Sequence, residues 1–300
     1  MSRILAFLWA LCLKFPPIML VYRTVQEMKH DDATHMAAGV AYYSILSLFP
    51  LTIGILAVFS PLLPAETVEG ALLDFLRTYL PGSDDAFREN LEATGGVRSA
   101  LGIVSVLGMF WSASAIFGAI SKAVNRAWDV HEDRPFYIDK VRHIAMAFSV
   151  GLLFILSVST TTLLQFVDDI AGRNGGMMQV LEQDTVNTMA RVLPFVFSLA
   201  IFLMVYKYVP NTVTHWRYIW PGALLAALAF EVGKGFFILY LDRFADFEMV
   251  YGSLGTVVVL MLWTYVSALT LIIGAEFTSE YERMLRGVER GRVIPRAGHH

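Results

Sequence analysis

The sequence predicts an all-α, polytopic membrane protein: a bundle of six transmembrane helices, with an interfacial helix at the N-terminus and short amphipathic helices in the outer loops. Three observations carry this expectation. Of the 300 residues, 56% are hydrophobic and only 16% charged, whereas soluble domains carry about 25% charged residues. The charges are unevenly spaced and leave six apolar intervals, each offering the ~20 residues that a helix needs to cross hydrocarbon, or falling short by a turn. Lys and Arg, finally, fall mainly on alternate connections. The same composition rules out disorder, and the single cysteine, Cys12, rules out a disulfide-stapled scaffold. A net charge of −3 provides no global basic field for nucleic acid.

Residues 4–22 are apolar but cut by Lys14 and by Pro16-Pro17. No small-x-small cleavage site follows them, so a signal peptide is disfavoured. We read them as an interfacial helix within an N-terminal segment of residues 1–35, in preference to a seventh span. The first span is expected over 36–63 and the second over 99–121, between Arg98 and Lys122. The third covers 143–167. The fourth has only 15 uncharged residues between Arg191 and Lys207 and must borrow a turn at each end, giving 187–209 with both cations snorkelling. The fifth covers 218–241 and the sixth 249–275, before a basic tail at 281–300.

Between the spans, residues 64–97 form the largest extramembrane piece. The spacing of Val68, Leu72, Phe75, Leu76 and Leu80, then Phe87 and Leu91 after Pro81-Gly82, reads as two short amphipathic helices. Residues 168–190 have a similar texture, with Gly175-Gly176 as the turn. With six spans, one side of the membrane holds sixteen of the 23 Lys and Arg residues and the other six, leaving Lys234 within a span. The excess of positive charge marks the cytoplasmic side. Both termini therefore read as cytoplasmic.

Glu231 and Lys234 lie deep in the fifth interval and three positions apart, so they share a helical face. Ionisable groups at that depth are expensive unless paired or wetted. They form either a structural ion pair or a charged point in a substrate path. Ala227 and Gly235 flank Glu231 on the same face, where small residues admit a neighbouring helix or a ligand. The second span carries a stripe of small residues from Gly102 to Ala119, read as a packing seam. On the sixth, Thr256, Trp263, Ser267, Thr270 and Gly274 make a mildly polar side. Tyr42, Tyr43 and Ser44 sit inside the first span, and Pro50 follows them as a fixed bend or a hinge.

Enzyme signatures are missing: there is no phosphate loop, no Gly-x-Ser-x-Gly elbow and no His-Glu-x-x-His pair. His30, Asp31, Asp32 and His35 have metal-ligand chemistry but read as a polar helix cap, so neither a metal nor any other cofactor is expected.

Several ordered motifs resemble a known family. Ala38-Gly39-Val40-Ala41-Tyr42-Tyr43-Ser44 with Ser47-Leu48-Phe49-Pro50, Trp111-Ser112-Ala113-Ser114, Asn125-Arg126-Ala127-Trp128, Pro221-Gly222-Ala223, Glu231 with Lys234, Tyr251-Gly252-Ser253-Leu254-Gly255 and Gly274-Ala275-Glu276 are similar to the YihY/BrkB family of bacterial inner-membrane proteins. Phe277-Thr278 departs from the pattern, where a Leu-Asn pair is expected. The resemblance implies six spans with cytoplasmic termini. It also carries two historical labels, a virulence or serum-resistance factor and a tRNA-processing ribonuclease BN. The second finds no RNA-binding surface in these residues.

The resulting expectation is a transporter or flippase-like inner-membrane protein for an amphipathic or anionic, envelope-lipid-like substrate, and not an enzyme. A non-transporting scaffold for envelope machinery is the alternative. Glu231, Lys234, Tyr42, Tyr43, Ser44, Ser267 and Glu276 are placed along the path, and Pro50, Gly235, Gly252, Gly255 and Gly274 at hinges or packing points. Membrane lipids are the expected partners, with a second copy of the chain or an envelope protein as further candidates and no nucleic acid.

Overall fold

The computed structural model describes residues 16–59, 70, 102–130, 135, 137–149, 152–153, 178–244 and 255–289. These form helices α1 (Pro16–His30), α2 (Ala33–Phe59), α3 (Gly102–Ala127), α4 (137–149), α5 (Met178–Tyr208), α6 (Trp216–Phe244) and α7 (Gly255–Arg286). There is no strand among the described residues. The expected amphipathic helices of 64–97 and most of the third span lie outside them, as does Gly252.

Helix α1 is described from Pro16, within the apolar interval of 4–22. Proline suits a first helical turn, where its missing N–H has no intrahelical acceptor anyway. Leu20, Thr24 and Glu27, followed by Asp31, make the buried stripe, while Ile18, Val21, Tyr22 and Val25 face outward. This is the reverse of a water-soluble amphipathic helix. A left-handed Asp32, at φ 52°, turns the chain into α2.

Small side chains set the packing of α2. Ala33, Ala37, Val40 and Ala41 are buried against α3 and α7, and Ser47 Oγ donates to the Ser112 carbonyl of α3 at 3.0 Å. The helix continues through Pro50.

Several helices overrun the boundaries that charges suggested. Helix α3 passes Lys122 to end at Ala127, because Lys122 is exposed while Ala123, Val124 and Ala127 are core residues. Helix α4 starts at 137, with the Lys140 ammonium 4.2 Å from the centre of the Trp111 ring. Helix α5 starts at Met178 and so absorbs half of the expected 168–190 loop. Helix α7 runs past Glu276 to Arg286, taking the first residues of the expected tail. It ends in a Schellman motif, with the Val288 amide donating to the Arg283 carbonyl at 2.9 Å and Gly287 left-handed at φ 66°.

Helix α7 is the hub, packing on α1, α2, α3 and α6. Its seam with α6 depends on two glycines. A Cβ on Gly222 would overlap Thr278 Oγ1 and come within 2.7 Å of the Gly274 carbonyl; one on Gly274 would overlap Tyr206 Oη and come within 2.7 Å of Ala226 Cβ. Tyr206, fully buried between Trp128 and Phe202, donates its hydroxyl to the Leu271 carbonyl at 2.7 Å. This bond satisfies the polar end of an otherwise apolar core.

The outside of the bundle is apolar. Leu225, Leu228, Val232, Phe236 and Leu239 form an outward stripe along α6, and contiguous apolar surface of this kind marks a membrane or partner face. Among the described residues, two helical segments are long and apolar enough to cross a membrane, Trp216–Leu241 and Val257–Arg286, and Val192–Tyr208 is a shorter apolar one.

Candidate functional site

Two groups of charged side chains stand out against this apolar frame. The first is the pair predicted within α6. Lys234 Nζ lies 2.7 Å from Glu231 Oε2, as spacing of three on one helix allows. Ser198 on α5 donates to the other carboxylate oxygen at 3.2 Å. The two side chains are 15% (Lys234) and 25% (Glu231) exposed, so the pair is partnered without being sealed. Ala227 is fully buried beside it, whereas Gly235 is exposed and a Cβ there would meet nothing within 4 Å.

The second group lies at one end of the bundle, where α1, the end of α3 and the end of α7 converge. Arg283, wholly buried, bonds the carboxylates of Asp129 and Glu280. Arg23 Nε reaches Glu280 Oε2 at 2.6 Å, Arg126 Nε reaches Asp31 Oδ1 at 3.2 Å, and Arg286 pairs with Glu282 at 2.6 Å. Asp129 occupies the left-handed position that terminates α3, at φ 53°. Glycine would adopt that conformation without strain, but only a carboxylate there can meet Arg283. Burial holds Asp31 above the usual carboxylate range. Its bond with His30 opposes this rise, nearby Asp129 adds to it, and Arg126 opposes it again.

Glu276, predicted as a path residue, stands apart from its neighbours. It is 1% exposed, and neither carboxylate oxygen has a hydrogen-bond partner. The charges acting on it are those of Asp31, Arg283, Glu27 and Asp129. The polar cap expected from His30, Asp31, Asp32 and His35 divides: His30 and Asp31 join Glu27 in this group, while Asp32 and His35 are exposed.

The predicted path residues are distributed over α2, α6 and α7. Tyr42 and Tyr43 are exposed on α2 with their rings edge to face at 5.6 Å, and Ser44 is half-buried. Ser267 bonds back to the Trp263 carbonyl of its own helix at 2.9 Å. Helices α2 and α6 each pack on α7. Gly255 is buried at the start of α7, and Gly274 lies in the seam with α6.

Sequence reasoning missed Glu27, Asp129, Glu280, Glu282 and Arg283. A signal was available: Ala268, Ile272, Ala275, Ser279, Glu280 and Arg283 continue one buried stripe of α7, legible once the helix is carried past the first charge.

The motifs noted in the sequence have visible work. Asn125 Oδ1 accepts the Asn211 amide at 2.7 Å, Arg126 pairs with Asp31, and Trp128 fills the core. Residues 24–296 match the family described as virulence factor BrkB. The chain is 30% identical over 256 residues to a UPF0761 membrane protein of Pseudoalteromonas translucida, covering 83% of this chain and 81% of that protein. It is equally 30% identical over 253 residues to the ribonuclease-like protein YfkH of Bacillus subtilis, covering 81% and 88%. A UPF0761 membrane protein of Photobacterium profundum is 29% identical over 278 residues, covering 89% and 82%. No solved structure matches the chain.

Proposed function

The chain belongs to the virulence factor BrkB family of membrane proteins, and from that premise we propose that it is a transport-type protein of the bacterial inner membrane. Its substrate is amphipathic or anionic, of the envelope-lipid type, and it is moved or flipped rather than chemically changed. In this reading the chain crosses the bilayer six times, near residues 36–63, 99–121, 143–167, 187–209, 218–241 and 249–275, with both termini cytoplasmic. Membrane lipids are its partners, and nucleic acid is not.

One observation carries the reading: Glu231 and Lys234 sit in the middle of an apolar helix, yet remain partly exposed. An ion pair retained only to fasten helices gains most when it is sealed, with every lone pair satisfied. A pair in a path has to be reachable. The lysine can meet an anionic headgroup while the glutamate keeps it oriented, and the outward apolar stripe of α6 offers a surface for acyl chains.

Reconstitution tests this directly. Full-length protein is placed in vesicles of phosphatidylethanolamine and phosphatidylglycerol containing a fluorescent phosphatidylglycerol, and dithionite bleaches the outer leaflet. Bleaching beyond the outer half is expected, and Glu231→Gln with Lys234→Met should abolish it in a folded protein. A folded double variant that moves lipid at the full rate sinks the path. No lipid movement by the unaltered protein, with the pair contributing only to stability, favours the scaffold reading, which the closed contact with Ser198 would then explain.

A further inference from the structure

We infer that the rim where α5 ends, α6 starts and α7 ends is a docking surface for an anionic phospholipid of the facing leaflet. Lys207, Arg217 and Arg286 supply the cationic contacts, and Trp216, Tyr218 and Trp220 their aromatic setting. The inference rests on the reading that this rim lies at the cytoplasmic face of the membrane, and not on any movement of lipid through the bundle.

The cations are gathered around two rings. Lys207 donates its ammonium to the Thr214 carbonyl and lies 5.6 Å from the centre of the Trp216 ring. The guanidinium carbons of Arg217 and Arg286 lie 6.0 and 5.2 Å from the centre of the Tyr218 ring, and Arg286 Nη2 is 3.3 Å from His215 Nδ1. The first turn of α6 and the last of α7 therefore present two guanidiniums to one ring. Arg286 has the Glu282 carboxylate at 2.6 Å. Among the described residues, neither Lys207 nor Arg217 has an acid partner, and aromatic faces attract a cation without cancelling its charge.

The loop that carries these groups is fastened from within. Thr214 Oγ1 donates to the Lys207 carbonyl at 3.0 Å, the Asn211 amide to Asn125 Oδ1 at 2.7 Å, and Arg142 Nη1 to Asn211 Oδ1 at 3.4 Å. A surface fixed in this way loses little freedom when a ligand arrives.

The helix below selects a lipid over a soluble anion. Arg217, Leu228 and Leu239 follow at intervals of eleven residues, close to three helical turns, so they share one face of α6. Leu228 and Leu239 are exposed members of the apolar stripe. From Arg217 to Leu228 the helix rises about 16 Å, roughly the hydrocarbon depth of one leaflet. Trp216 and Trp220, both exposed, stand at the head of this run, where indole rings settle at headgroup level. A phosphodiester held by the Arg217 fork can thus lay its acyl chains along the same face. Cations at this level also meet the negative potential of the cytoplasmic leaflet.

Equilibrium binding tests the surface. Full-length protein in detergent is titrated with phosphatidylglycerol or with phosphatidylcholine of the same acyl chains, and retained lipid is counted by native mass spectrometry. Phosphatidylglycerol should bind at least about tenfold more tightly, and Arg217→Gln should weaken it about fivefold, as expected for one cation near an anionic surface. Arg217→Lys should recover most of that loss. Lys207→Gln should weaken binding by a similar factor. Arg217 is exposed and touches only its neighbour Tyr218, so its variant decides the matter even where the loss of Lys207 loosens the loop. The Arg217→Gln effect should persist when Glu231→Gln and Lys234→Met are also present. Equal retention of the two lipids, no change in Arg217→Gln, or displacement of the lipid by inorganic phosphate overturns the surface. So does a loss seen only when Glu231 and Lys234 are altered. Because the readout is retention and not movement, this surface and the transport reading fail separately.

Discussion

The middle of α6 and the charged end of the bundle solve the same problem, an ionised group out of water, in different ways. Glu231 and Lys234 pair within one helical turn, and the Ser198 hydroxyl of α5 joins the contact. At the end of the bundle, three of the described pairings cross between elements: Arg283 with Asp129, Arg23 with Glu280, Arg126 with Asp31. A pair closed within one helix survives movement of its neighbours. A network spread over α1, α3 and α7 exists only while the three are docked. The first arrangement suits a surface that a substrate passes, and the second a clamp that defines the fold.

The largest effect should come from breaking the clamp. Arg283→Met leaves Asp129 and Glu280 buried without their shared cation, and removing one partner of such a pair costs about 3–5 kcal/mol. Thermal unfolding in detergent should show a large fall in melting temperature. Adding Asp129→Asn and Glu280→Gln should restore much of it, since the penalty is the unpaired charge. Asp129→Gly separates backbone from side chain. It relieves the left-handed strain, worth about 1–2 kcal/mol, yet should still destabilise the protein because Arg283 loses its partner. A more stable Asp129→Gly protein would mean that the clamp contributes little.

The next effect concerns the seam that brings α7 against α6. Gly222→Ala or Gly274→Ala places a Cβ into occupied space, and overpacking of this kind costs about 1–3 kcal/mol. Gly235→Ala is the matched control: it lies on the same helix, meets nothing within 4 Å, and should be stabilising by roughly 0.5–1 kcal/mol through helix propensity. Equal effects at Gly222 and Gly235 would mean that α6 and α7 are not in close contact.

The difference between the two regions also explains what the sequence revealed. Glu231 and Lys234 were legible because the contrast of two charges inside an apolar run needs no partner element to be seen. The helices themselves were legible for the same reason, from the gaps between charges. Their ends were not. Lys122, Arg191 and Glu276 read as limits, but α3, α5 and α7 continue through them, because a helix can extend beyond the apolar run that crosses the membrane. Glu280 and Arg283 find partners on α1 and α3, more than 150 residues away for Asp129. No periodicity along one strand of sequence reports such a contact. Glu27 was missed for a related reason: it reads as an exposed polar residue until α1 is seen to turn its polar face inward.

The smallest expected effect tests the α6 pair most cleanly. Ser198 Oγ is the only group from another helix that the described contacts bring to the Glu231 carboxylate. Interhelical hydrogen bonds of this type in membrane proteins average about 0.6 kcal/mol, so Ser198→Ala should barely move the melting temperature. Its informative consequence lies in coupling. If the hydroxyl only helps seal a static ion pair, its loss should matter less once Glu231→Gln with Lys234→Met has removed the charges, and lipid movement by the single variant should be unchanged. If the pair faces a path, Ser198 sets how far the carboxylate is drawn from the lysine. The single variant should then change the rate of lipid movement several-fold at nearly constant stability. A shift in stability without a shift in rate would place α6 with the clamp.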